Sequence, residues 1–64
     1  MKNRDLVRIL KDKGFTLVRN NNHAIYSNGI NTVPVPHHMS HSKGLVRRLL
    51  QQAGLKKEEI AKVL

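Results

Sequence analysis

His23 stands between three asparagines and the run Ala24-Ile25-Tyr26. Imidazole is the side chain whose unperturbed pKa lets it exchange protons near neutral pH. A histidine exposed at the mouth of a strand is therefore a candidate general acid or base. A second group, His37-His38-Met39-Ser40-His41, puts three imidazoles within five residues. A third, Ser42-Lys43-Gly44, joins a hydroxyl, a cation and a small residue at what reads as a helix start. Unpaired N–H groups and the helix dipole favour a phosphate there. Arg47 follows one turn later and extends the basic strip.

Each group has a plainer reading. His23 can be a polar residue on the solvated side of a strand. Lys43 and Arg47 can be the charged wet face that most helices carry. The His37/His38/His41 group has the composition of a metal site, but there is no cysteine in the chain and no carboxylate nearby to complete or neutralise a shell. That cluster is read as phosphate contacts or turn packing, and neither a metal nor any other cofactor is expected.

Charge distribution sharpens the choice. From Lys13 to Lys57 there is no acidic residue, while seven Lys/Arg and all four histidines fall within it; Asp5, Asp12, Glu58 and Glu59 lie at the ends. With a net charge of +8 over 64 residues, the expected partner is a polyanion, nucleic acid before others. On RNA, a histidine such as His23 would take the 2′-hydroxyl proton or protonate the leaving 5′-oxygen. The composition argues against other classes. No apolar run approaches the roughly 18 residues of a membrane span, and Asp5, Arg8, Lys11 and Asp12 interrupt any leader-like segment. The expected location is the cytoplasm, with no membrane contact.

These residues need a scaffold, and 64 residues allow one domain with a small aliphatic core. Leu6, Val7, Ile9 and Leu10 give helical periodicity over residues 3–13, with Asn3 as N-cap and Gly14 just beyond the end. Residues 15–19 read as a strand and Asn20-Asn21-Asn22 as a turn. Residues 23–27 form a second strand, Asn28-Gly29 a hairpin turn, and residues 30–35 a third strand that Pro34 confines to an edge. Ser42 caps a helix over 43–53 with Leu45, Val46, Leu49, Leu50 and Ala53 inward. A short terminal helix over 55–64 turns Ile60, Val63 and Leu64 inward. The order α-β-β-β-α plus a short α predicts an α+β fold of two layers, helices on one face of an antiparallel sheet.

Taken in order, Gly14-Phe15, His23-Ala24-Ile25-Tyr26, Thr32-Val33-Pro34-Val35-Pro36-His37-His38 and Lys43-Gly44 through Gln51-Gln52-Ala53-Gly54-Leu55 resemble the HicA family of toxin–antitoxin toxins. The likeness covers nearly the whole chain, 1–64. It implies a fold like the double-stranded-RNA-binding domain and a metal-independent endoribonuclease that cuts mRNA and arrests growth. It also implies an acidic HicB-like antitoxin that covers the active site and alone touches DNA. The family's catalytic histidine falls on His23, and its second histidine segment falls near His38. Arg19, Asn22, His38, Lys43 and Arg47 are the expected RNA contacts. Where the family has Gly-Ser before the histidine, this chain has Asn21-Asn22; Asn21 is expected to adopt the left-handed backbone of the glycine, and Asn22 to offer a carboxamide donor to phosphate. The rival from another class is a non-catalytic module of the same fold that binds duplex RNA by shape.

Overall fold

The computed structural model describes all 64 residues, Met1–Leu64. The chain runs α1 (Asn3–Asp12), β1 (Thr16–Asn20), β2 (His23–Ser27), β3 (Thr32–Pro36), α2 (Lys43–Gln52) and α3 (Lys57–Val63). The strands make one antiparallel sheet in the order β1-β2-β3. Its covered face meets the helices through one aliphatic core: Leu6 and Leu10 from α1, Val46, Leu49 and Leu50 from α2, Ile60 from α3, and Tyr26, Val33 and Val35 from the sheet. This is the expected two-layer α+β fold, consistent with that of the double-stranded-RNA-binding domain.

α1 and α2 end by the same device. The Phe15 N–H donates to the Leu10 carbonyl and the Gly14 N–H to that of Lys11; Leu55 repeats this to Leu50 and Gly54 to Gln51. Gly14 and Gly54 sit at φ of 88° and 91°, the left-handed region such a stop requires. Phe15 and Leu55 follow directly and are buried, so each helix stop also drives a side chain into the core.

Several details differ from expectation. Asn3 does not cap α1: Lys2 holds the N-cap position, with no side-chain cap, and the Asn3 side chain bonds His41. No residue other than glycine has positive φ, so Asn21 does not adopt the left-handed backbone. The turn closes with Asn21 N–H on the His23 carbonyl, 3.2 Å, a geometry open to any residue. β3 starts at Thr32, because the Asn28 Oδ1 accepts from both Ile30 and Asn31 N–H and holds those residues in the turn. Val63 is 38% exposed; α3 is short and turns Ile60 inward, leaving Val63 at the margin. Pro34 lies on an edge strand as expected, and Ser42 Oγ caps α2 through the Leu45 N–H.

Candidate active site

The topology gathers the chemistry at one end. β2 starts at that end and β1 and β3 finish there, while α1 and α2 both begin there. The N-terminal residues pair with the His loop: Asn3 N–H donates to the Met39 carbonyl, 2.9 Å, and His41 N–H to that of Met1, 2.8 Å. All four histidines, Lys2, Arg4, Arg19 and Lys43 therefore share this end with two helix N-termini, each a partial positive charge. Of the acids, Asp12 closes α1 at the other end, and Glu58 and Glu59 begin α3 there, with Glu59 on Lys13 at 2.6 Å. Asp5 alone sits near the basic end, in the first turn of α1.

His23 occupies the first position of β2 and is exposed. Ala24 and Tyr26 face the core, so alternation puts His23 and Ile25 on the outward face, beside their partners Pro36 and Pro34. A bulge in β1 decides what joins them. Leu17 pairs with Tyr26 but Arg19 pairs with Ile25, so Val18 is the extra residue. In an unbulged ladder Val18 would take Ile25 and Arg19 would stand opposite Ala24 on the covered face; the one-residue shift puts Arg19 opposite Ile25 and turns it outward. Arg19 and His23 are then diagonal neighbours across β1 and β2, with Cα atoms roughly 7–8 Å apart. A guanidinium and an imidazole on one open surface at that spacing suit a phosphate and the oxygen beside it.

The other histidines have separate places. The His37 Nε2 lies 3.0 Å from the Asn21 carbonyl oxygen, tying the exit of β3 to the turn from which His23 emerges. His41 is 5% exposed, with its Nε2 on Asn3 Oδ1 at 2.9 Å. Burial first, then the neighbouring His38 and the N-terminal ammonium, hold its pKa below 6.5, so it is neutral at physiological pH. His38 is exposed, its ring 6.1 Å from that of His41. Asn22 is exposed in the turn next to His23. No three of the His, Asp or Glu side chains are grouped to hold a metal ion.

The expected RNA contacts divide into two surfaces. Arg19 and Asn22 flank His23, and Lys43 starts α2 at the same end. Arg47 instead joins Lys43, Gln51 and Lys57 along a groove between α2 and α3, in the helix layer and away from the outward face of the sheet. The His37–Asn21 contact and the turning of Arg19 by the bulge leave no mark in the sequence, because the first joins residues distant in the chain and the second depends on a one-residue shift in strand pairing.

Residues 4–55 match the family described as HicA toxin of bacterial toxin-antitoxin. The chain belongs to the HicA toxin family. The matched span contains His23, the bulge, the His loop and α2, and stops just short of α3. No curated protein and no solved structure gave a match. Family membership supplies a toxin role and an antitoxin partner. No helix is long and apolar enough to cross a membrane.

Proposed function

We propose that this toxin is a metal-independent endoribonuclease that cuts mRNA in the cytoplasm, with His23 as its general acid or base. The observation that carries the reading is the exposed placement of His23 on the open face of the sheet beside Arg19, at the end where cations and helix N-termini converge. In this mechanism the ribose 2′-oxygen attacks the adjacent phosphorus and the 5′-oxygen leaves. His23 takes the 2′-hydroxyl proton or supplies the proton that leaves with the 5′-oxygen, and water handles the other. Arg19 and Lys43 meet the charge that grows on the phosphoryl oxygens. Asn22 offers its carboxamide to the phosphate, and His38 lines the approach. His37 touches no substrate and fixes the turn that aims His23. An acidic HicB-like antitoxin would silence the enzyme by covering this end, and DNA would be reached only through that partner.

The test is cleavage of a defined mRNA by purified toxin in the presence of a chelator. The reading expects cut strands ending in a 2′,3′-cyclic phosphate, and loss of cutting in His23→Ala. Intact RNA with the parent protein, or cutting abolished by the chelator, would refute it.

One observation favours a second reading. Among the side-chain hydrogen bonds, those of histidine belong to His37 and His41; the His23 ring has no partner in the protein to orient it, as catalytic imidazoles commonly have. A non-catalytic module that binds duplex RNA by shape would need no such partner. Salt-sensitive binding with no cut strands would favour it.

A further inference from the structure

The groove between α2 and α3 holds about 490 Å³ and is open to solvent. Ile60, Ala61 and Leu64 form its aliphatic floor, while Lys43 and Arg47, one turn apart on α2, and Lys57 on α3 supply cations at its rim. All three cations are exposed. No acidic side chain lines the groove; Glu59 points to the opposite side of α3, where it meets Lys13 of α1.

We infer that this groove docks an acidic, amphipathic segment of a partner protein, its carboxylates on Lys43, Arg47 and Lys57 and its aliphatic side chains on the Ile60–Leu64 floor. Charge complementarity selects the sign of the occupant. Three exposed cations with no carboxylate side chain lining the groove repel one another, and an acidic chain relieves that repulsion while steering its own approach. The floor selects the chemical class. A nucleic-acid backbone would satisfy the rim and leave the aliphatic surface without a counterpart, whereas an acidic helix or strand with Leu or Val on one side fills both. His23 faces outward from the sheet and does not line this groove. A segment seated here therefore tethers a partner and engages Lys43 while leaving His23 uncovered. The inference rests on the chain working with a partner protein, as its family does, and not on RNA cleavage.

The experiment uses the whole protein and three probes: a Leu–Glu amphipathic peptide, a Ser–Glu peptide of equal charge, and a short RNA duplex. Amide NMR is expected to show the Leu–Glu peptide shifting Arg47, Lys57, Ala61 and Leu64 and leaving His23 unmoved. Its affinity should exceed that of the Ser–Glu peptide by about tenfold, and Arg47→Glu with Lys57→Glu should lower it by a similar factor. Equal binding of the two peptides, shifts centred elsewhere, or displacement of the peptide by the duplex would overturn the inference. If the parent cuts no RNA, the nuclease reading fails while the peptide result still decides the groove.

Discussion

The imidazole of His41 and the carboxamide of Asn3 meet across 38 residues of chain, Nε2 to Oδ1 at 2.9 Å. With Asn3 Oδ1 as acceptor, the ring proton sits on Nε2, and the buried Nδ1 has no hydrogen-bond partner. Protonating His41 would create a buried N–H with nothing to receive it, besides charging a desolvated ring. The pair joins the start of α1 to the loop before α2, so it holds the two helix N-termini at the same end as His23.

A pH dependence of stability follows. The folded pKa of His41 lies below its ordinary 6.5, so the unfolded chain binds the proton more readily. Stability is then fully present above about pH 6.5 and declines as pH falls from there toward the folded pKa. Glu59 acts in a lower window. Its carboxylate accepts from Lys13 Nζ and the Lys56 N–H, which hold it below 4.5, so its contribution fades only as pH falls further. Denaturant titrations across this range should show both declines, and His41→Gln should remove the upper one alone. An unchanged slope between about pH 7 and pH 5 in that variant would contradict the assignment.

Gly54 and Gly44 should respond oppositely to alanine. At Gly54, φ is 91° and a Cβ would lie 2.8 Å from Asn31 Nδ2, the group that donates to the Ala53 carbonyl. Gly54→Ala is expected to cost more than about 1 kcal/mol, or about 4–8 °C in Tm for a domain of this size. At Gly44, inside α2, a Cβ meets nothing within 4 Å, and Gly44→Ala should gain about 0.5 kcal/mol through helix propensity. Thermal melts of the two variants check both signs.

The helix stops at Gly14 and Gly54, the Ser42 cap and the edge placement of Pro34 were legible because each depends on a few adjacent residues. The position of His23 on an open strand was legible for the same reason, and the family likeness gave it a role. What escaped was set by contacts distant in sequence. Asn3 had the right chemistry for a cap, but a histidine 38 residues away claims its side chain. The apolar run Leu17-Val18 gives no sign that Val18 is left out of the ladder, although that register shift decides which way Arg19 faces. Arg47 reads as part of one basic strip, and only the docking of α3 against α2 gives it a different neighbourhood from His23.

The bulge itself can be tested. Deleting Val18 should close the ladder with Leu17 still opposite Tyr26 and Arg19 still opposite Ile25 and outward, so stability should change while RNA affinity is kept. Arg19→Ala should lower affinity alone, reducing the slope of log affinity against log salt by about 1 if the guanidinium holds one phosphate. Filter binding across a salt series, alongside thermal melts, separates the two variants. An Arg19→Ala slope equal to that of the parent would remove Arg19 from the phosphate contacts.

Core truncation should be severe. Leu50 is fully buried and also receives the Leu55 N–H at the end of α2. Removing its side chain typically costs about 2–5 kcal/mol, comparable with everything a core of this size supplies. Leu50→Ala is therefore expected to show no cooperative melt by circular dichroism, and a sharp transition near that of the parent would contradict the packing described.

In the proposed function, one imidazole on the open face of the sheet does the cutting. The most direct measurement compares parent and His23→Ala protein on the same end-labelled mRNA, with chelator present, and records cleavage and binding together. The parent should cut, while the variant binds RNA with the same salt dependence and leaves it intact. A variant that folds, binds and cuts as fast as the parent would contradict the claim.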